Sequence, residues 1–215
     1  MNNTFLIALL ASSLVIVVVA AQETVGTESA GLYRLPFADG TSVQVFDDFT
    51  THRPRGRVDL FATGERGPYR VVAAAAGRIM AIQDSFSEQQ SGRPAADCHN
   101  NYVWIAHPNG EWTNYSHLAY NSVTKGAKLK VGDQVAAGTY LGEEGAVGCA
   151  MLKHVHFEVA VPDRGTPIDA GGFLTDNEGG KRERNPRFCG VPNRIVVKNA
   201  TYRAIPCGTT ATAPQ

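Results

Sequence analysis

Two histidines lie two residues apart in the segment LKHVHFEV, residues 152–159. Because side chains at i and i+2 of a β-strand share a face, His154 and His156 would point to one side, and Val155 and Phe157 to the other. Two adjacent imidazoles add little to packing, but they can hold a metal ion or transfer a proton. The spacing predicts a strand with a core face and an accessible face that carries chemistry.

Further candidates for the same chemistry lie upstream. The segment THRPRGRVDLFA contains His52 and Asp59, and the segment NYSHL contains His117. Imidazole and carboxylate groups are zinc ligands, and imidazoles also transfer protons. His99 and His107 match no motif, and we expect them at the surface or at the end of a hairpin. The spacing of HVH alone leaves open whether its histidines act in chemistry or are solvated residues.

The elements that must position these residues read as short β-strands. Between residues 31 and 162, runs rich in Val, Ile, Tyr and Trp alternate with Gly, Pro, Asn and Asp, without a long helical period. The segment NYVWIAHPNGEWTNYSHL predicts a hairpin that turns at residues 108–110, and YRVVAAAAGRIMAIQ predicts two strands that bend at Gly77. The patterns predict an all-β fold of mostly antiparallel sheets.

Composition and the N-terminus indicate the partners and the compartment. The 215 residues carry no formal net charge, so bulk charge does not predict a nucleic-acid partner. Residues 1–21 contain an apolar run, from Phe5 to Ala21, that ends in small residues, which predicts a signal peptide. An uncleaved anchor is the alternative, because no Lys or Arg precedes the run. In either case we expect an exported chain, periplasmic or secreted, that contacts the membrane only through this segment.

Four cysteines in an exported chain are expected to form disulfides. Four cysteines allow three connectivities, and we favour Cys98 with Cys149 inside the region of the candidate residues and Cys189 with Cys207 near the C-terminus. A zinc site made of cysteines is the alternative, but no C-x-x-C spacing occurs. The second disulfide would hold a small C-terminal appendage.

The ordered set of segments resembles the lysostaphin-type, or LytM-type, zinc metallopeptidases, which cut the peptide cross-links of bacterial cell walls. The resemblance rests on VDLFA, AAAAGRI, the hairpin segment, KLKVGDQVAAGTYLGEEG and the final H-x-H-F-E. H-x-H alone is a weak motif, whereas the ordered set is specific. The resemblance implies an open groove between the sheets, one zinc ion and a peptidoglycan peptide as the substrate.

By position, the resemblance implies that Asp59 and His156 bind the zinc ion, while His117 and His154 assist the reaction without binding it. Zinc with three protein ligands and an open position lowers the pKa of a bound water toward neutrality. Two neighbouring imidazoles can then accept the proton of that water and stabilise the oxyanion or the leaving amine. These expected roles agree with the chemistry of the residues.

The third ligand is where the chain departs from the family. The family has a histidine four residues before the aspartate, but here that position is Arg55, and an arginine cannot bind zinc. The nearest histidine, His52, lies seven residues before Asp59, an odd offset that faces away on a regular strand. Pro54 and Gly56 favour a turn or bulge between them, so we predict His52 as the third ligand. The alternative is a degenerate site with His52 in a loop.

The predictions divide the chain into residues 1–21 as a signal peptide or anchor, 22–50 as N-terminal strands, 51–162 as a LytM-like metallopeptidase domain and 163–215 as a C-terminal extension. The predicted function is a zinc metalloendopeptidase that acts on stem or cross-bridge peptides of peptidoglycan. One alternative is a degenerate LytM-like domain that binds cell wall or regulates a cell-wall hydrolase. Another is a secreted binding protein with a purely structural zinc ion.

Overall fold

Strands dominate the structure, as the alternation of apolar and polar residues predicts. The computed structural model describes residues 26–64, 67–94, 97–163, 165, 167–175 and 181–209. The segment predicted to be a signal peptide or anchor lies outside these residues. Within the described ranges, no helix is long and apolar enough to cross a membrane.

The described strands are, in chain order, β1 (Ser42–Asp47), β2 (Arg57–Thr63), β3 (Arg70–Val72), β4 (Gly77–Gln83), β5 (Tyr102–Ala106), β6 (Trp112–Ser116), β7 (Gln134–Val135), β8 (Tyr140–Glu143), β9 (Val155–Ala160), β10 (Glu183–Arg184) and β11 (Thr201–Arg203). A short helix spans Ser122–Ala127, and a single 3₁₀ turn spans Pro192–Arg194. The predicted all-β fold class is confirmed.

Nine of the strands form one sheet in which every pairing is antiparallel. Its order is β11-β1-β2-β9-β6-β5-β4-β7, and β10 pairs with β9 in continuation of β2. Strands β3 and β8 form a separate antiparallel pair. The strand that carries the H-x-H motif, β9, therefore lies at the centre of the main sheet.

Alternation along the central strands separates a core face from a second face, called here the site face. Val58 and Leu60 of β2, Tyr115 of β6, and Val155 and Phe157 of β9 belong to one continuous buried apolar core. The intervening residues of these strands point to the opposite side of the sheet. The polar candidates of β2 and β9 share this site face, as their spacing predicts.

The two predicted turns form where the sequence places them. Strands β5 and β6 are joined by a hairpin around residues 108–110, with Gly110 at a φ of 84°. The chain passes from the small sheet to the main sheet just before Gly77, the first residue of β4. A Cβ atom at Gly77 would lie 2.3 Å from the Ala106 carbonyl oxygen, so only glycine allows this close approach.

The N-terminal segment is bound to the hairpin by one buried carboxylate. Glu111 is 2% exposed and accepts hydrogen bonds from the backbone N–H groups of Ala30 at 2.6 Å and Gly31 at 2.8 Å. The Tyr33 hydroxyl donates at 2.7 Å and Asn109 Nδ2 at 2.9 Å. Bonds to a carboxylate are roughly twice as strong as neutral ones. Glu111 therefore fixes the segment that brings Tyr33 into the core.

His107 lies at the expected end of the hairpin, but its side chain is buried. Nδ1 donates to the Ala76 carbonyl oxygen at 2.8 Å, and Nε2 lies 2.9 Å from Thr113 Oγ1. Burial lowers the pKa of His107, although the hydrogen bond to Ala76 acts to raise it. The residue is part of a buried polar network between β6 and the segment just before β4.

The C-terminal residues extend the main sheet at two places. Strand β10 pairs with β9, and strand β11 pairs with β1. The Cys189–Cys207 disulfide closes the loop that contains β11. The segment RIVVKNATYRAI, residues 194–205, has the composition of a strand, but only β11 forms in it, because Asn199 adopts a φ of 67° and turns the chain.

We predict that Glu111→Gln lowers the free energy of unfolding by about 2–3 kcal/mol, because the new amide presents N–H groups to donors that need an acceptor. Chemical denaturation followed by circular dichroism measures the change. Glu88→Gln is the matched control, since Glu88 is exposed, and we expect a change below about 0.5 kcal/mol. Equal effects of the two substitutions would contradict the anchoring role.

We predict that His107 makes the stability depend on pH. The pKa of His107 in the folded chain is below its ordinary value of 6.5, because burial disfavours the charged ring. As the pH falls below 6.5, the unfolded chain binds a proton that the folded chain does not, so the free energy of unfolding decreases. His107→Gln should flatten this part of the profile, measured by denaturation at a series of pH values. An unchanged slope in His107→Gln would show that other groups cause it.

Candidate metal centre and groove

Three side chains that can hold a metal ion meet on the site face. The register places Asp59 of β2 directly opposite His156 of β9, and His156 Nδ1 lies 3.0 Å from Asp59 Oδ1. His52 Nε2 lies 3.4 Å from Asp59 Oδ2. One ligand atom from each of the three side chains lies within 4.8 Å of the others. Two imidazoles and a carboxylate are a ligand set of catalytic zinc sites.

A compact turn before β2 brings His52 to this position. The His52 N–H donates to the Asp48 carbonyl oxygen at 2.8 Å, and the Gly56 N–H donates to the Phe49 carbonyl oxygen at 3.0 Å. Gly56 has a φ of 94°, in a region that residues with a Cβ atom rarely adopt. His52 and Asp59 are an odd number of residues apart, and it is this turn that directs the His52 side chain toward Asp59.

The His52 ring is oriented by a backbone carbonyl. Its Nδ1 lies 2.7 Å from the Pro54 carbonyl oxygen, which can only accept, so Nδ1 carries the proton. The neutral ring then has its lone pair on Nε2, the atom next to Asp59. Arg55 stands at the ligand position usual in the family, and its side chain is exposed. The structure thus brings His52, and not Arg55, to the other two candidate ligands.

The donor set fits a zinc ion. The side chain of His156 is buried, and its Nε2 has no hydrogen-bond partner among the described residues. A buried polar atom without a partner raises the free energy of the folded chain. The His156 ring also lies against the His52 ring, with 4.8 Å between their centroids. The nitrogen of His156 that faces Asp59 is Nδ1, so a cation at this cluster would compensate the buried carboxylate of Asp59.

Asp59 is the electrostatic centre of the cluster. Burial acts to raise the pKa of Asp59, but hydrogen bonds with His154, His156 and His52 outweigh it and hold this pKa well below its usual range. Burial acts to lower the pKa of His52 and of His154, yet the hydrogen bond and the charge of Asp59 raise both. Burial lowers the pKa of His156 to about 3 despite its bond to Asp59. The carboxylate is therefore ionised and available to a cation.

The two remaining imidazoles adjoin the candidate ligands. The ring centroids of His117 and His154 are 4.6 Å apart, and His154 Nε2 lies 3.5 Å from Asp59 Oδ1. His117 Nδ1 donates to the Val147 carbonyl oxygen at 2.7 Å, and His154 Nδ1 donates to that of Leu152 at 2.9 Å. Burial, followed by the charge of His154, lowers the pKa of His117 to about 4. In its neutral form, each of these two rings has Nε2 as a proton acceptor.

A groove of about 480 Å³ has this cluster in its lining. Apolar side chains contribute to its walls, among them Phe46, Leu152, Phe173 and the largely exposed Met151. The site face is less accessible than the sequence predicts, since His154 is 7% and His156 is 3% exposed. The rings of His52 and Phe173, which also line the groove, lie 4.8 Å and 5.3 Å from the His156 ring between centroids and cover it. The prediction treated β9 as an open strand and did not include these covering side chains.

Arg57 is a site residue that the sequence analysis missed. It lies two residues before Asp59, lines the groove and is 8% exposed. Its Nε lies 3.6 Å from Glu158 Oε2 and also contacts Glu183 of β10, while its guanidinium stacks 4.5 Å from the centroid of the Phe173 ring. Burial raises the pKa of Glu158 to about 7, although Arg57 acts to lower it. The period of two along β2 could have identified Arg57, but no sequence signal points to Phe173.

Both predicted disulfides are present. Cys98 is bonded to Cys149, and Cys189 is bonded to Cys207. Cys98 and Cys149 line the groove, whereas the other pair is outside its lining. The first disulfide therefore lies at the candidate site, and the second joins two residues near the C-terminus.

The sequence profile described as Peptidase family M23 matches residues 56–170, more than half of the chain. The chain belongs to peptidase family M23. This confirms the family predicted from the ordered segments. His52 lies just before the matched range, which agrees with its unusual spacing from Asp59, and the other four candidate histidine and aspartate residues lie inside it.

Solved structures that are similar to this M23 chain come from several bacteria. A peptidase M23 from Pseudomonas aeruginosa is 24% identical over 62% of this chain and 48% of that chain, with a TM-score of 0.40. The catalytic domain of lysostaphin from Staphylococcus simulans is 19% identical over 67% of this chain and 87% of that chain, with a TM-score of 0.37. Csd3 of Helicobacter pylori is 19% identical over 81% of this chain and 35% of that chain, with a TM-score of 0.42. This chain thus spans about half of the first relative. Among curated protein sequences, none matches this chain significantly.

We predict that the purified M23 chain retains about one zinc ion after dialysis and that His52→Ala and His156→Ala each weaken zinc binding at least about 100-fold, since each removes a ligand. Elemental analysis gives the stoichiometry, and competition with a chelating dye gives the affinity. His99→Ala is the matched control, because His99 is exposed and stacks on Phe86. Zinc affinity unchanged by His52→Ala would exclude His52 as the third ligand.

Proposed function

We propose that this M23 chain is a zinc metalloendopeptidase that hydrolyses peptide bonds in the stem or cross-bridge peptides of peptidoglycan. The observation that carries the proposal is the convergence of His52, Asp59 and His156 in a groove beside two further imidazoles. Membership of peptidase family M23 supports the reaction class. The two disulfides support an exported chain, periplasmic or secreted, because disulfides persist in oxidising compartments.

His52, Asp59 and His156 are the residues that would hold the zinc ion. A zinc ion held in this way lowers the pKa of a water molecule toward neutrality and polarises a carbonyl group. Catalytic zinc sites use three protein ligands and keep one position open, whereas structural sites close it with a fourth. The three donors found among the described residues favour a catalytic site over a purely structural one.

His117 and His154 would move protons and stabilise charge beside the ligands. Because Nδ1 of His117 donates to Val147, its Nε2 can accept the proton of the attacking water. His154 is held in the same way by Leu152, and its ring adjoins that of His117. It can stabilise the charge that develops on the carbonyl oxygen, or donate a proton to the leaving amine.

We predict that His117→Ala keeps the zinc ion but lowers peptide-bond hydrolysis at least about 100-fold, the usual contribution of a general acid or base. Purified peptidoglycan is the substrate, and the release of free amino groups and soluble fragments is followed by mass spectrometry. His156→Ala should lose zinc and activity together, and His99→Ala should retain both.

The outcome that contradicts the proposal is a wild-type chain that binds one zinc ion and releases no amino groups from peptidoglycan. Binding to peptidoglycan without turnover would then favour the alternative function, a catalytically degenerate domain that binds cell wall or regulates a hydrolase. Loss of activity in His99→Ala would also contradict the assignment, because this residue is outside the groove.

A further inference from the structure

His117 has a backbone conformation that requires support from its surroundings. It follows directly after β6 and has a φ of 65°, in the left-handed region that residues with a Cβ atom rarely adopt. Such conformations persist only where surrounding contacts determine them, and they cluster at functional sites. The position of the His117 ring therefore depends on contacts from outside β6.

Two hydrogen bonds from two separate loops supply this support. The Asn100 side-chain oxygen, Oδ1, accepts the backbone N–H of His117 at 3.1 Å. The Val147 carbonyl oxygen accepts the ring Nδ1–H at 2.7 Å. The first bond fixes the backbone of His117, and the second fixes the orientation and the protonated nitrogen of its ring.

The Cys98–Cys149 disulfide joins these same two loops. Asn100 lies two residues after Cys98, and Val147 lies two residues before Cys149. Between the two loops, Gln90 N–H donates to the Gly148 carbonyl oxygen at 2.6 Å. The disulfide therefore lies two residues along the chain from each of the two residues that bond to His117. Both loops lie outside the strands.

The backbone at Gly148 allows the two loops to approach closely. A Cβ atom at Gly148 would lie 3.0 Å from the His99 carbonyl oxygen and 3.2 Å from Asn100 Oδ1, and its φ is 86°. Glycine meets both requirements, because it has no Cβ atom and tolerates a positive φ. Gly148 therefore allows the loop that contains Cys149 to pack against the loop that contains Cys98.

Asn100 has few groups left for a substrate. Its Oδ1 is bonded to His117, and its Nδ2 donates to the Gly171 carbonyl oxygen at 3.2 Å. Its own N–H donates to the Ala170 carbonyl oxygen at 3.3 Å, and the residue is buried. Asn100 also lines the groove, but its side-chain oxygen and its amide are both bonded to backbone groups, which indicates a residue that positions its neighbours.

We propose that Asn100 and the Cys98–Cys149 disulfide form a clamp that positions His117 for catalysis, with Asn100 as a positioning residue. The inference rests on the proposed function of His117 in peptide-bond hydrolysis. The clamp sets the place of the His117 ring relative to the candidate ligands, and the zinc ligands themselves do not depend on it. Its loss lowers turnover and leaves zinc binding and substrate affinity in place.

The test compares Asn100→Ala and the double variant Cys98→Ser/Cys149→Ser with the wild-type chain. Long-range ¹H–¹⁵N spectra of the imidazole rings report the His117 tautomer without any turnover. We expect the single Nδ1–H tautomer in the wild type and a mixture in both variants. We also expect kcat to fall about 10- to 100-fold, KM to stay within about 2-fold and the zinc content to stay unchanged.

The second disulfide provides the matched control. Cys189→Ser/Cys207→Ser removes the same type of bond outside the groove, and it should change neither the His117 tautomer nor kcat. Combining Asn100→Ala with Cys98→Ser/Cys149→Ser should lower kcat by less than the product of the separate effects, because both act through His117. If Cys98→Ser/Cys149→Ser does not fold, the test rests on Asn100→Ala, in which the disulfide is intact.

Unchanged His117 signals in Asn100→Ala would overturn the clamp, as would equal effects of the two double variants. A changed tautomer with an unchanged kcat would also overturn it. If the wild type shows no hydrolysis, the proposed function fails by itself, and the ring spectra then decide whether Asn100 and the disulfide hold His117.

Discussion

Asp59 is an ionised carboxylate on a buried face of the sheet, and a buried charge is tolerated only where partners compensate it. The compensating groups come from different elements: His156 from β9, His154 from the loop before it and His52 from the turn before β2. The pairing register between β2 and β9 places His156 opposite Asp59. A slip of one residue would exchange the two faces of β9, so the site depends on this register.

The apolar core enforces that register. Val155 and Phe157 lie in the continuous core, so the same alternation that buries them directs His154 and His156 to the other side. The covering segments then act on the site face. The stacking of Phe173 on Arg57 and its ring contact with His156 enclose the cluster from one side. Low exposure strengthens electrostatic interactions within the cluster, because water screens them less.

The parts that the sequence predicts are those set by local rules. The period of two places His154 and His156 on one face, and the hairpin before His117 follows from its turn residues. The position of His52 needed the turn geometry at Gly56, which sequence indicates but does not determine. Phe173 could not be predicted, because its place depends on the Gly172 carbonyl oxygen accepting bonds from Trp104 and Asn114, at least 58 residues away. Asn100 was equally hidden, since its partners belong to distant segments.

The pairing of β11 with β1 has a consequence for the order in which the chain can complete its sheet. Strand β1 is made early, but its outer edge pairs with Thr201–Arg203 and is hydrogen-bonded through Val45 to Asn199 and Ala200, all close to the C-terminus. Until those residues are synthesised, the edge of β1 presents free N–H and C=O groups, which are a template for strands of other chains. The short β11 is synthesised late, and by covering this edge it protects β1 from pairing with strands of other chains. The Cys189–Cys207 disulfide links the chain that follows β11 to Cys189, whose N–H donates to the Tyr33 carbonyl oxygen. The disulfide therefore keeps β11 close to the edge of β1.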